Sequence, residues 1–255
     1  MRLNVFLQRA GVGSRRHAEQ LVAEGRVKVN GETALVTTPV NEGDAVMIDG
    51  KAMAIETRPI PRLFMLHKPI DYLVTTFDSQ GRPTIYDLPS LCPPRWKSNM
   101  PRIMNVGRLD VNSEGLLLLS TDGPLAQAMM SPKMALERVY RVRVHGRLTP
   151  EQIDRLRRGV TSKGVTYRGA KVTEEKAPTG RNTWYQIILT EGKNREIRKL
   201  MEHFGCVVNR LIRLQYGPFK LGELRAGEVW EVPQHRVEAL IDDLRKRDAN
   251  ADLPT

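Results

Sequence analysis

Residues 106–123 read Val106-Gly107-Arg108-Leu109-Asp110-Val111-Asn112-Ser113-Glu114-Gly115-Leu116-Leu117-Leu118-Leu119-Ser120-Thr121-Asp122-Gly123. A polar loop holding Asp110 beside a cationic neighbour runs straight into four leucines and then a turn. Four apolar residues bounded by turn signals suit a buried segment. Asp110 taken alone could simply form the turn, because aspartate readily bonds nearby backbone.

Outward from this run, the chain alternates strand and helix signals without a regular β-α-β rhythm. Leu63 to Leu66, Tyr72 to Thr76, Val139 to Val144 and Trp184 to Leu189 are strand candidates, rich in β-branched and aromatic residues. Leu125 to Met130, Pro150 to Arg158 and Arg195 to Phe204 have helical patterning. This mixture predicts an α+β domain with a largely antiparallel sheet.

The first fifty residues form a separate pattern. Leu3, Phe6, Leu7 and Ala10 give one helical face, which Gly11 and Gly13 break. Ser14 suits the N-cap of a second helix that buries Ala18, Leu21 and Val22, and Gly25 ends it. Val27-Lys28-Val29 alternates into Asn30-Gly31, a strong hairpin signal. Val46 and Ile48 make another short strand, closed by Asp49-Gly50. Residues 51–62, with Pro59 and Pro61, read as a linker. Residues 63–240 read as the main domain, and the charged stretch 241–255 as a fraying tail.

The 255 residues carry 40 Lys and Arg against 29 Asp and Glu, a net charge of +11, with 40% apolar residues. That size suits a small domain plus a medium one, and the charge favours a polyanionic partner. Cys92 and Cys206 stand far apart, which disfavours a disulfide framework and makes the cytosol the default. No apolar stretch can span a bilayer. His17, His67, His145, His203 and His235 are scattered and suggest no metal centre.

Basic residues cluster early. Arg2, Arg9, Arg15, Arg16, Arg26 and Lys28 face only Glu19 and Glu24 over the first 31 residues. Arg15 and Arg16 open the second helix, where free backbone N–H groups already favour phosphate. A solvated helix face remains the alternative. The segments Leu3 to Ala10, Ala10 to Arg16 and Gly25 to Gly31 together resemble the S4 RNA-binding module. That resemblance implies binding of structured RNA by shape, as suits a duplex whose major groove hides its base edges.

The run Gly107 to Gly123 resembles the signature of pseudouridine synthases that act on ribosomal RNA. The resemblance extends from about residue 63 to about residue 235. It implies that Asp110 is the essential catalytic aspartate. Ser113-Glu114-Gly115 stands where the family often has Thr-x-Gly, and the serine keeps the hydroxyl. Pseudouridine formation breaks the bond from ribose to the uracil nitrogen, turns the base and rejoins it through carbon. No water is added and no redox change occurs, so neither cofactor nor metal is expected. A carboxylate can attack the substrate or take a proton from the sugar, and its ionised form calls for a nearby cation.

Glu191-Gly192-Lys193-Asn194-Arg195-Glu196-Ile197-Arg198 holds the candidate for that cation, Arg198. Arg195 and Arg198 share a helix face by their i, i+3 spacing, although spacing alone leaves an exposed basic helix equally open. The run resembles the family's third motif, in which the arginine after Gln-Ile or Glu-Ile pairs with the aspartate, here Arg198. Tyr140 lies on one strand face with Val142 and Val144. A core tyrosine is the plain reading, and the family's second motif implies stacking on the target uracil. The resemblance implies that Arg108 contacts the flipped nucleotide or fills its gap, a surface arginine on phosphate being the alternative. The resemblance adds Lys193 and Arg195 to the RNA-binding set. His67, Lys68 and Pro69 match the first motif and read as structural. Arg210 to Leu214 is expected to continue the wall of the site with apolar side chains.

Within the family, Asn182 to Gln186, Thr190 to Glu196 and Arg210 to Gly217 look most like the branch acting on large-subunit RNA. The small-subunit branch is the runner-up. The expected partner is ribosomal RNA or a pre-ribosomal particle, with no membrane, and the chain is expected to act as a monomer. Two other functions compete. An inactive RNA-binding adaptor leaves about 190 residues with three ordered motifs unexplained. A nucleoside or sugar hydrolase needs a second carboxylate with a clear motif or a metal cluster.

Overall fold

A computed structural model describes residues 1–10, 12, 15–41, 43–53, 60–91, 102–175 and 181–251. The helix-breaking Gly11 and Gly13, the Ser14 cap, Pro59 and Cys92 lie outside the described residues. The chain divides into two compact units, Met1–Ile60 and Pro61–Thr255.

In the front unit, helices α1 (Leu3–Arg9) and α2 (Arg15–Ala23) cover a small sheet. Its strands are β1 (Val27–Val29), β2 (Glu32–Thr33), β3 (Val46–Ile48) and β4 (Lys51–Met53), in the order β2-β1-β3-β4. Leu3, Phe6, Leu7, Ala18, Leu21 and Val22 pack on Val27, Val29 and Val46. Asn30 and Gly31 both take positive φ, 53° and 87°, and join β1 to β2. That is the hairpin geometry their side chains permit. Strand β4 corrects the expected linker at 51–62, because Lys51–Met53 pairs with β3 through the Asp49-Gly50 turn.

The second unit is built on a nine-stranded sheet. Its strands are β5 (Leu63–Lys68), β6 (Met104–Val106), β7 (Glu114–Ser120), β8 (Arg138–His145), β11 (Lys171–Glu174), β12 (Asn182–Leu189), β13 (Val207–Tyr216), β14 (Phe219–Lys220) and β15 (Val229–Glu231). A separate hairpin joins β9 (Val160–Ser162) and β10 (Val165–Tyr167). The main order is β11-β12-β8-β13-β7-β5-β15, with β14 on β13 and β6 on β7. Every pairing in the large sheet is antiparallel except β13 with β7. The four leucines of β7 are fully buried, and they alternate between two cores. Leu117 and Leu119 join the core that holds Tyr140, Val142 and Ile197. Leu116 and Leu118 join the one closed by the last helix. A run of apolar residues without alternation is what a strand covered on both faces needs.

Among the described residues, this unit also holds the α-helices α3 (Gly123–Met130), α4 (Pro150–Arg158), α5 (Glu196–His203) and α6 (Gln234–Ala251). Asp122 caps α3 by accepting from Leu125 N–H at 2.6 Å, and Thr149 with Gln152 forms a capping box on α4. Such caps contribute roughly 1 kcal/mol each.

Two expectations are corrected here. Residues 72–76 form no strand. Leu73 N–H donates to Pro83 O and Ile85 N–H to Leu73 O, an isolated parallel bridge with Thr84 that neighbouring residues do not extend into a strand. The charged tail does not fray from residue 241. Helix α6 continues to Ala251, because Val237, Leu240 and Leu244 seat one apolar face in the core.

Candidate active site

The parallel pairing of β7 with β13 decides where the chemistry sits. Both strands run the same way, so the segments that lead into them meet at one end of the sheet. The Asp110 loop leads into β7, and α5 leads into β13. The register then aligns Tyr140 of β8 with Arg213 of β13, and Arg213 with Gly115 of β7. Gly115 has φ +105°, and a Cβ there would stand 2.4 Å from Arg213 O, so only glycine allows this crossing. That explains the last residue of Ser113-Glu114-Gly115 physically.

A cavity of about 780 Å³ opens at this end. Asp110, Arg108, Tyr140, Arg195 and Arg198 all line it, with Leu109, Ile197 and Leu211 as apolar wall. The structure thus brings together all three residues expected to act in catalysis. In the stretch 210–214, Leu211 and Arg213 are the residues that face the cavity.

Asp110 is about a quarter exposed and Arg198 much less so. Arg198 Nε stands 3.4 Å from Asp110 Oδ2, an ion-pair distance without hydrogen-bond alignment. The rest of the guanidinium is tied to backbone and loop. Nη2 donates to Asn112 O at 2.8 Å and to Ser113 Oγ at 3.2 Å, and Nη1 donates to Val208 O at 3.2 Å. Burial pulls the Arg198 pKa below its usual value, and Asp110 opposes that pull. Ser113 has no solvent exposure, so its hydroxyl is a fixed acceptor for Arg198. Ile197, the residue before Arg198, is buried in the core.

Arg195, expected on RNA, also donates through Nη1 to Asp110 Oδ2 at 3.2 Å, while half of its side chain stays exposed. Its backbone is left-handed, with φ 51° and ψ 33°. Lys193, also expected on RNA, stays exposed while its ammonium is engaged by the protein. Its ammonium donates to Glu191 Oε2 at 2.7 Å and Thr166 O at 2.6 Å. Arg108 is exposed at the cavity.

Lys68 has a larger part than its structural reading suggested. It is completely buried, and Nζ donates to Pro69 O at 2.8 Å, Val111 O at 3.3 Å and Ser113 O at 2.8 Å. Two of those carbonyls belong to the Asp110 loop, so this ammonium ties the loop to β5. Burial lowers its pKa to about 8. Sequence reading also missed Glu191 and Glu196, which line the same cavity and are almost fully buried. Their spacing around Lys193 was visible, but their burial was not. Among the described residues, no three His, Cys, Asp or Glu side chains gather as a metal site.

In the front unit, Arg16, Arg26 and Lys28 are exposed, and Arg15 opens α2 with its side chain outside the described residues. Arg26 is engaged by Asp49 at 2.5 Å and Glu24 at 3.2 Å. No helix among the described residues is long and apolar enough to cross a membrane.

Comparison with known proteins agrees with both units. The S4 domain family matches residues 1–46. Ribosomal large subunit pseudouridine synthase B of Pseudomonas aeruginosa is 40% identical over 247 residues, covering 95% of this chain and 62% of that protein. Its namesake from Xanthomonas campestris is also 40% identical, over 96% of this chain and 50% of its own length. The chain therefore spans about half to two thirds of these relatives. An uncharacterised RNA pseudouridine synthase of Rickettsia typhi is 36% identical and is matched over 96% of its length, by 95% of this chain. A crystal structure of a pseudouridylate synthase has the same fold, with a TM-score of 0.63 at 23% identity, over 94% of this chain and 99% of that one. RNA pseudouridylate synthases match across residues 62–203, which hold Asp110, Tyr140 and Arg198, and the chain belongs to that family.

Proposed function

We propose that this chain converts a uridine of large-subunit ribosomal RNA to pseudouridine. The observation that carries the reading is Asp110 at the cavity, held between Arg195 and Arg198, with Tyr140 in the same wall. Both guanidinium groups stand at ion-pair distance from the carboxylate. That carboxylate acts on the ribose by attack or by proton removal, and the bond from C1′ to N1 breaks. The freed uracil turns between Tyr140 and the apolar wall. C5 then bonds to C1′, the C5 proton leaves, and N1 ends protonated, so the product is an isomer of the substrate. Tyr140 offers a ring for stacking and a hydroxyl near the proton to be moved.

Relatives that carry a large-subunit name over most of this chain favour large-subunit over small-subunit RNA. In the front unit, Arg15, Arg16, Arg26 and Lys28 supply charge for RNA phosphates, and Arg108 and Arg195 do so at the cleft. Lys193 belongs with them only through what its internal bonds leave exposed. The working state is a cytoplasmic monomer on ribosomal RNA or a pre-ribosomal particle.

The test is to incubate the protein with transcripts of each ribosomal RNA and map pseudouridine by chemical modification and primer extension. Modification of the large-subunit transcript is expected. Asp110→Asn should abolish it while RNA affinity stays within a few fold, because Asn keeps the size but cannot act as base or nucleophile. Turnover retained by Asp110→Asn sinks the assignment.

A further inference from the structure

The turn between β12 and α5 contains two carboxyl groups that the reaction does not use. Glu191 is 6% exposed and Glu196 4%. Glu196 Oε2 accepts Lys193 N–H at 2.8 Å, and Glu196 N–H donates back to Lys193 O at 3.2 Å. Glu191 is bound from the other side. Its Oε1 accepts Arg168 N–H at 2.7 Å, and its Oε2 accepts the Lys193 ammonium at 2.7 Å. Together they clasp residues 191–196, the segment that carries Arg195 to Asp110. Arg195 holds a left-handed backbone there, a conformation that persists only where its surroundings impose it.

One atom is unaccounted for. Glu196 Oε1 is buried with no hydrogen-bond partner among the described residues, while both carboxyl groups are held on Lys193, Glu196 by its backbone N–H and Glu191 by its ammonium. Two ionised carboxylates so placed repel strongly away from water. A single shared proton turns the repulsion into a charge-assisted hydrogen bond. Both oxygens of Glu191 are already occupied by donors, which favours its ionised form. Glu196 keeps the spare oxygen, so the proton belongs there.

We propose that Glu196 is carried as the neutral acid, donating its proton to Glu191, and that this bridge positions Arg195 and Arg198 on Asp110. Glu191 and Glu196 are then positioning residues and do not touch the substrate. The proposal rests on Asp110 as the catalytic carboxylate only for its link to rate. The protonation itself stands apart from that reading.

The surroundings agree. Burial, with Glu191 adding to it, pushes the Glu196 carboxyl up to about 7. Burial would raise Glu191 as well, but Lys193 and the Arg168 N–H outweigh it and hold Glu191 below the usual carboxylate range. The charged groups acting on Glu196 are Glu191 and Lys193. Of the strands that pack on α5, β9 contributes Val160, Thr161 and Ser162, none of them charged. On β13, Arg210 pairs with Glu114, and Arg213 donates to Leu116 O. From β8, the Arg138 guanidinium lies against Gly192.

Two measurements decide the matter. With carbon-13 labelled glutamate, the Glu196 carboxyl resonance is identified by its loss in Glu196→Gln. It should report a neutral acid at pH 6 and titrate near neutrality. A resonance that stays ionised down to pH 5 overturns the proposal. Single-turnover rates at saturating RNA supply the second. The wild-type rate should fall by roughly tenfold from pH 6 to 8.5 as the bridge loses its proton. Glu196→Gln carries a permanent N–H for Glu191, so it should retain most of the pH 6 rate and keep it at pH 8.5. Glu196→Gln with the wild-type alkaline decline overturns the link between bridge and rate. A wild-type protein that makes no pseudouridine at any pH counts against the functional reading, and the carbon-13 titration then judges the bridge alone.

Discussion

In the front unit Arg26 meets Asp49 and Glu24 at the surface, with nearly half of each side chain exposed. Around the cleft, Lys68, Arg138, Glu191, Glu196 and Arg213 are all more than nine-tenths buried. Among the described residues the front unit buries no charged side chain at all. The two regions use charge for different ends. Exposed cations cost little, can be exchanged between a protein carboxylate and an RNA phosphate, and respond to salt. Buried charges are costly, so each must be held by several partners, and the result is fixed geometry. An RNA-gripping surface needs the first property and a reacting carboxylate needs the second.

The sharpest way to break this contrast is Arg198→Met. It leaves Asp110 with Arg195 alone and removes the donors to Asn112 O, Ser113 Oγ and Val208 O. Breaking a fully buried pair costs roughly 3–5 kcal/mol, and the cost here is smaller because Asp110 is about a quarter exposed and keeps Arg195. We expect part of that as lower stability in urea melts and part as a single-turnover rate at least tenfold lower. Arg198→Lys should fare better than Met, but one ammonium cannot serve four acceptors in a planar fork. A normal rate at saturating RNA for Arg198→Met would show that Arg195 is the working partner.

Lys68 tests the buried side through pH. Its folded pKa, about 8, lies below the ordinary lysine value of 10.5. Below pH 8 the lysine is protonated in both states, and its burial cost is fully present. Between about pH 8 and 10.5 the unfolded chain binds more protons than the folded one, so stability rises with pH. The full effect is about 3 kcal/mol by linkage. Lys68→Met should remove this rise. It should also slow catalysis, because Val111 O and Ser113 O lose the donor that ties the Asp110 loop to β5. The difference between wild-type and variant urea stabilities at pH 8 and pH 10 is the measurement, and a constant difference refutes the shift.

These two residues also show what a sequence can and cannot disclose. Arg198 was singled out by the run's resemblance to the family's third motif, since its spacing from Arg195 left an exposed basic helix equally open, and Arg195 in fact precedes the helix with a left-handed backbone. The burial of Leu116–Leu119 was legible because four leucines bounded by turn signals suit a buried segment, but such a run does not distinguish a strand from a helix, and β7 as a strand was not. Lys68 and Glu196 were not legible in the same way. A lysine or glutamate in a sequence reads as surface, and only the closing of β5 on β7, or α5 on β13, takes it out of water. Tyr72 to Thr76 failed for a related reason. Its β-branched side chains suit a strand, but its backbone bonds go to Pro83 and Ile85. Helix α6 ran past the expected boundary because Leu244 packs on a core assembled from distant segments.

The exposed side of the contrast is tested by deletion. Strand β4 shows that the cut belongs after Ile60, since removing only residues 1–50 leaves Lys51–Met53 without its sheet. The protein lacking residues 1–60 should stay folded, because the second unit closes its own cores. Its RNA affinity should fall, and its log-log salt slope should become shallower by roughly 0.7–0.9 for each phosphate no longer neutralised. An unchanged salt slope means that the front unit is not an RNA anchor.

The smallest effect is expected at Arg26, and its sign is informative. If Arg26 binds RNA as proposed, Asp49 and a phosphate compete for the same guanidinium. Asp49→Asn removes the competitor, so RNA affinity should rise slightly and the salt slope should steepen. Arg26→Gln should do the reverse. Neither should move the melting temperature resolvably, because exposed pairs contribute little to folding. Fluorescence anisotropy on a structured RNA at several salt concentrations would measure both variants. If both variants lower affinity alike, Asp49 is holding Arg26 in its binding position, and even an exposed pair then works by fixing geometry as the cleft does. If the effects are opposite, the surface and the cleft are distinct uses of the same side chains.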